Sequence, residues 1–111
     1  MREYPKWSEL PEIDLYLDQV LEYVNKLHSP VMLKNDKGLT SAMINNYVKN
    51  HYVDKPIKKK YSRRQLARLI VITYLKNVFS IQEISKTLTM LTKNDKSEIM
   101  YNNFVACMNG E

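Results

Sequence analysis

Positive charge is concentrated in one window of this 111-residue chain, residues 49–68. The chain has a net charge of +5, and this window holds more than the whole excess. It contains a single acid, Asp54, against eight basic residues: Lys49, Lys55, Lys58, Lys59, Lys60, Arg63, Arg64 and Arg68. Such a cluster can neutralise the phosphates of a nucleic acid. The alternative is a solvated basic surface, and lysine is also the usual residue on a protected strand edge.

A helix is predicted at 40–50, directly before and into this window. Thr40 is a typical N-cap, and the apolar residues recur at helical spacing: Met43, Ile44, Tyr47 and Val48. Asn50 could end the helix in a left-handed conformation. The outer face carries Ser41, Asn45, Asn46 and Lys49. Because asparagine can form two hydrogen bonds with adenine in the major groove, this face is suited to reading DNA. Considered alone, such a face is more often simply solvated.

The basic residues that follow are divided between a short connection and a helix start. Lys58, Lys59 and Lys60 are predicted to form a small turn or wing, and Arg63 and Arg64 begin the next helix. The amino-terminal dipole of that helix would add its own attraction for phosphate. We therefore predict that the polar helix, the turn and the helix start converge on one surface that binds nucleic acid.

The stretch 61–78 predicts the helix around which the chain is organised. Ser62 followed three residues later by Gln65 is typical of a capping box. After Arg68 the sequence is almost wholly apolar as far as Leu75. A helix that is apolar on all sides is normally buried on all sides. We therefore expect this helix to lie at the centre of the core.

The remaining segments predict a single all-α domain of five helices. An arm at 1–11 would be pinned to the core by Trp7 and Leu10. Amphipathic periodicity predicts a helix at 12–27, with Ile13 on its apolar side, and a loop follows at 28–38. Ser80 and Glu83 begin another helix, 80–91. The last helix, 95–108, would either close the core or offer a face for a homodimer.

The same sequence gives no sign of catalysis, and no cofactor or metal site is expected. The two histidines, His28 and His51, are predicted in separate loops, and Cys107 is expected to be a buried, inert thiol. No phosphate-binding glycine loop or metal-ligand spacing is present. One cysteine, the lack of a signal peptide and the lack of a membrane-spanning stretch predict a cytoplasmic protein with no membrane partner.

Several spaced motifs between residues 43 and 88 lead to a family resemblance. They are Ile44 and Tyr47, then Tyr52-Val53, then Tyr61, Ser62 and Leu66, then Phe79-Ser80-Ile81-Gln82-Glu83-Ile84. Their order resembles the DNA-binding domain of the MerR superfamily of winged-helix transcription regulators. The resemblance implies a winged helix-turn-helix core at 40–91 in an all-α, five-helix domain, with a very short basic wing.

The chain also departs from the MerR pattern. The wing is shorter than usual, and the compact first helix is replaced by a longer helix and an eleven-residue loop, 28–38. The long C-terminal helix that makes such regulators dimers is missing, as are an effector domain and a set of metal-binding cysteines. A ligand-sensing role is therefore not implied.

Over the whole chain the pattern is still more similar to a bacterial family, the domain of unknown function 1836. The residues that carry this similarity are Asp14-Leu15-Tyr16-Leu17-Asp18-Gln19, Leu39-Thr40-Ser41-Ala42-Met43-Ile44-Asn45-Asn46-Tyr47-Val48-Lys49 and Lys58-Lys59-Lys60-Tyr61-Ser62. That family has no established activity, so the similarity bears on the fold rather than on the function.

Two functions remain open from the sequence. In the first, the protein is a small transcription regulator that binds double-stranded DNA, with Ser41, Asn45, Asn46 and Lys49 in the major groove and with Lys58, Lys59, Lys60, Arg63 and Arg64 on phosphates. In the second, it is a protein-interaction module that keeps the winged-helix shape without binding DNA. The two differ in whether the basic residues share one surface with the polar helix face.

Overall fold

The computed structural model describes residues 4–29 and 38–111. Within them lie five α-helices: α1 (Leu17–His28), α2 (Ser41–Lys49), α3 (Arg63–Leu75), α4 (Ile81–Leu91) and α5 (Ser97–Met108). Two short strands, β1 (Leu15–Tyr16) and β2 (Lys60–Tyr61), pair in antiparallel fashion. The mostly helical fold is confirmed, and the small sheet is an addition to the all-α prediction. Most of the loop predicted at 28–38 lies outside the described residues.

Helix α3 is the central element, as its composition predicts. It packs against α1, α4 and α5. Every residue from Leu69 to Thr73 is buried. At its start, the Ser62 amide donates to Gln65 Oε1 at 2.7 Å, and the Gln65 amide donates to Ser62 Oγ at 3.4 Å. The capping box is therefore confirmed, and it sets the point where the buried helix begins.

Helix α1 begins at Leu17, five residues later than the amphipathic pattern predicts. The residues just before it are extended, because Leu15 and Tyr16 pair with Tyr61 and Lys60. The Tyr16 amide donates to Gln19 Oε1 at 2.9 Å, which satisfies one of the free amides at the helix start. Ile13, predicted on the apolar face, lies outside the helix and is 72% exposed.

The N-terminal segment is pinned to the core largely through α5. Its backbone amide at Trp7 donates to Asn102 Oδ1 at 2.9 Å, and Leu10 is buried. The hydroxyl of Tyr101 donates to the carbonyl of Pro5 at 2.8 Å. Helix α5 also buries Met100, Tyr101 and Val105 against the rest of the chain. Its main role within the chain is therefore to close the core.

Two sequence predictions about reactive residues were wrong. His28 is not in a loop: it is the last residue of α1 and only 3% exposed. Its Nε2 donates to the Ile70 carbonyl at 3.1 Å, and its Nδ1 accepts from the Tyr4 hydroxyl at 3.1 Å. Burial raises the pKa of Tyr4 to about 12, so this hydroxyl keeps its proton at neutral pH. Cys107 is exposed, because α5 turns its other side to the core.

Helix α2 ends in a left-handed residue, but one position later than predicted. Asn50 has a φ of −93°, whereas His51 has a φ of 63°. The His51 amide donates to the Val48 carbonyl at 3.1 Å and the Tyr52 amide to the Tyr47 carbonyl at 2.8 Å. These two bonds are those of a Schellman motif, in which glycine usually occupies the left-handed position.

Replacing His51 with glycine is expected to raise the free energy of unfolding by about 0.5–1 kcal/mol. The reason is that a side chain at this left-handed position clashes with its own backbone, while glycine does not. Urea denaturation followed by circular dichroism would measure the change. The control is Asn50→Gly, which should lower stability because Asn50 has a negative φ and its side chain bonds to the Asn46 carbonyl. A loss of stability in His51→Gly would contradict the interpretation.

Candidate nucleic-acid interface

The outward face of α2 is formed as the sequence predicts. Ile44 and Tyr47 are buried, while four of the predicted site residues are exposed at helical spacing on the other side: Ser41, Asn45, Asn46 and Lys49. The helix contains no acidic residue. Thr40 caps it by accepting from the Met43 amide at 3.2 Å. This face therefore combines amide and hydroxyl groups with one positive charge.

The polar groups of this face are available to a ligand. Among the described residues, the side chains of Ser41, Asn45 and Asn46 have no hydrogen-bond partner. The side chain of Asn50 donates to the main-chain carbonyl of Asn46 and leaves the side-chain amide of Asn46 unengaged. An exposed amide on a rigid helix can present a donor and an acceptor together, which recognition of a base edge requires.

Lys58 and Lys59 form the tip of a two-residue β-hairpin. Ile57 and Lys60 exchange both backbone hydrogen bonds at 3.0 Å, which closes the turn. The two lysines have φ values of 51° and 68°, so both are left-handed, as a type I′ turn requires. That turn strongly favours Asn-Gly, and a left-handed side chain costs about 1 kcal/mol or more. Two exposed lysines are thus held in a conformation that their residue type disfavours.

Lys60 stands at the base of this hairpin and has partners within the chain. It lies in β2, where it pairs with Tyr16. Its Nζ lies 5.1 Å from the centre of the Tyr16 ring, within the range of a cation–π contact. Lys60 is half-buried, so it is less accessible than the two lysines of the tip.

The two arginines predicted to bind phosphate are engaged by groups of the same chain. Arg63 is half-buried, and its Nη2 donates to the Leu10 carbonyl at 3.2 Å. Arg64 forms an ion pair of 3.0 Å with Asp95, and the two side chains are 56% and 85% exposed. Two acids, Glu12 and Asp14, line the same groove as these arginines. The structure thus places Lys58, Lys59 and Lys60 in one hairpin, whereas both arginines have acidic or carbonyl neighbours.

Two residues of α3, to which the sequence interpretation gave no such role, position the segment between α2 and the hairpin. Arg68 Nε donates to the Tyr52 carbonyl at 2.7 Å. Gln65 Nε2 donates to the carbonyls of Asp54 and Lys55 at 2.8 and 3.0 Å. Burial lowers the pKa of Arg68, and the nearby carboxylate of Asp54 partly offsets this. The sequence signal for this role is that Gln65 and Arg68 are polar residues next to the apolar residues that follow the first turn of α3.

Two other kinds of site are absent from the described ranges, 4–29 and 38–111. They contain no group of three or more His, Cys, Asp or Glu residues able to hold a metal ion. They also contain no helix long and apolar enough to cross a membrane.

A model of one protein family matches nearly the whole chain. That model describes a domain of unknown function, DUF1836, and it covers residues 5–104. No curated protein and no solved structure matches the sequence. The match therefore extends over all five helices except the end of α5, and it includes both the α2 face and the hairpin.

Proposed function

We propose that this protein, which belongs to the DUF1836 family, is a transcription regulator that binds double-stranded DNA through α2. The observation that carries the proposal is the outward face of that helix. It is exposed, free of acids, and rich in amide and hydroxyl groups without partners among the described residues. Such a face presents no negative charge to the phosphates, and its amides can pair with base edges.

The hairpin supports the proposal as a contact to the DNA backbone. Lysines at its tip present two exposed charges that could contact phosphates. The order of elements, with α1 and α2 followed by the hairpin and then α3, supports a MerR-like winged helix. In this proposal Lys58 and Lys59 hold phosphates directly and Lys49 and Lys60 add further phosphate contacts, while Arg63 and Arg64 contribute less because groups of the chain engage them.

The first experiment is selection from a random pool of short DNA duplexes at two salt concentrations. If the four lysines each neutralise one phosphate, log K should fall with log salt at a slope of roughly −4. Enrichment of a motif would support a regulator, and a palindromic motif would support a homodimer. Salt-dependent binding without enrichment would reduce the proposal to non-specific DNA binding. Absence of binding at low salt would reject it.

Asn46→Ala is expected to relax sequence preference while leaving stability nearly unchanged. The alanine keeps the helix, but the lost amide removes one base contact, worth about 1–3 kcal/mol of discrimination. Affinity for the enriched motif and for a scrambled duplex would be compared by fluorescence anisotropy. Asn103→Ala, at an exposed site of α5, is the matched control and should bind both duplexes like the original protein. If Asn46→Ala keeps the full preference, α2 does not read the motif through this residue.

One observation favours the second function, a protein-interaction module. Val78 and Phe79 are exposed, and beside them is a groove lined by Leu75, Ile84 and Leu88. Apolar side chains beside a groove of this kind are typical of contacts with another protein. A homodimer through α5 would rest mainly on Ile99, because most other apolar residues of that helix already pack within the chain. Failure to bind any duplex would make this the leading proposal.

A further inference from the structure

We propose that a cleft between the end of α2 and the start of α5 binds a small anion that carries a carboxylate or a phosphate group. The cleft has a volume of about 210 Å³. This is below the range of about 300–1,000 Å³ typical of drug-sized ligands, so it suits a ligand of few atoms. Two arginines and a histidine line it, namely Arg64, Arg68 and His51. Asp54 is the one acid in the lining, which leaves the cleft positive.

Arg68 supplies a guanidinium that is already held in place. Its Nε bonds to Tyr52, and its Nη2 donates to Ser85 Oγ at 3.3 Å and to Thr89 Oγ1 at 3.1 Å. The described residues provide no partner for its Nη1. A fixed guanidinium with free donors binds an anion with little loss of side-chain entropy. Because burial disfavours its charge, an anion beside it would also offset that penalty.

Ser97 is the second group that points to a ligand. It lines the cleft as the first residue of α5, and its hydroxyl has no hydrogen-bond partner among the described residues. The oxygen itself is accessible to solvent, so the hydroxyl is free to donate to a ligand in the cleft. An anion in the cleft would accept from this hydroxyl, and the positive end of the α5 dipole lies at the same place.

Arg64 and Thr89 complete the set of donors. Arg64 pairs with Asp95, whose side chain is 85% exposed, and an exposed ion pair of this kind contributes little stability. An anion in the cleft can therefore replace Asp95 as the partner of Arg64 at small cost. Thr89 Oγ1 accepts from Arg68, so its own proton remains available to an anion.

The test is an NMR titration of the isotope-labelled full chain with inorganic phosphate and, separately, with acetate, at constant ionic strength. We expect saturable changes in the amide resonances of residues 51–54 and 89–97. Arg64→Gln should weaken binding about ten-fold, because one charge-assisted hydrogen bond is lost. Ser97→Ala should weaken it as well. Lys86→Gln removes the same charge from an exposed site of α4 and should leave binding unchanged.

The outcomes separate the ligand classes and do not depend on DNA binding. Saturation with phosphate alone would identify a phosphoryl group as the ligand, and saturation with acetate alone would identify a carboxylate. Shifts that never saturate, or an equal loss of binding in Arg64→Gln and Lys86→Gln, would overturn the proposal.

Discussion

Replacing Arg68 with methionine is expected to lower the free energy of unfolding by roughly 2–4 kcal/mol. Arg68 donates to the carbonyls of Tyr52 and Ser85 and to the hydroxyls of Ser85 and Thr89. These bonds join the turn after α2 to α3 and α4. Methionine retains much of the apolar stem but donates no hydrogen bond, so several partly buried acceptors would lose their partner. Losing such partners costs more than the bonds themselves contribute.

The measurement is urea denaturation of Arg68→Met beside the matched variant Arg64→Met. Arg64 makes one exposed ion pair, so its replacement should change stability by less than about 0.5 kcal/mol. Hydrogen exchange should also quicken in residues 52–55, because Gln65 would then be the one α3 residue whose side chain still bonds to that segment. Equal stability of the two variants would show that Arg68 does not act as a clamp.

Features of the fold that depend on neighbouring residues were predictable from the sequence. The capping boxes of Ser62 with Gln65 and of Ser80 with Glu83 formed as predicted. Both are local interactions, in which a side chain satisfies an amide three residues away. The burial of α3 followed from its apolar composition, since no polar face was available to meet solvent. The α2 face followed from the period of the helix.

Features that depend on distant pairing were not predictable. The start of α1 is set by the pairing of Leu15 with Tyr61, which are far apart in the chain, and the periodicity of 12–27 contains no trace of it. The contacts of the candidate site likewise depend on residues that are far apart in the chain. A count of charges treats all arginines and lysines of 49–68 as equal. Only the fold shows that Arg63 meets the Leu10 carbonyl and Arg64 meets Asp95.

The hairpin was predicted as a small turn or wing, without its turn type, because its sequence lacks the usual signal. A two-residue hairpin is normally recognised by Asn-Gly or Asp-Gly, and here the two positions are lysines. Residues held in disfavoured backbone conformations are often found at functional sites, where the surrounding structure maintains them. Here the pairing of Ile57 with Lys60 and of β2 with β1 maintains the turn. Replacing the two lysines with residues that favour the turn can therefore test the stability of the turn separately from its function.

The double variant Lys58→Asn with Lys59→Gly is expected to be more stable than the original protein and to bind DNA much more weakly. Asparagine and glycine adopt left-handed conformations readily, so the free energy of unfolding should rise by about 1–2 kcal/mol. Each phosphate contact contributes about 0.9 to the salt slope, so two lost contacts should lower affinity roughly 60-fold at 0.1 M salt. The slope itself should become shallower by roughly 2.

Denaturation and duplex binding would be measured on the same preparations. The matched control, Lys86→Gln with Lys93→Gln, removes the same two charges from exposed positions outside the hairpin. It should leave the salt slope unchanged, because local phosphate contacts rather than net charge determine that slope. If both double variants lose affinity equally, net charge alone drives binding and the hairpin has no special role. A more stable hairpin variant with undiminished affinity would instead place the DNA contacts elsewhere on the protein, and the disfavoured conformation of the two lysines would then have no connection with DNA.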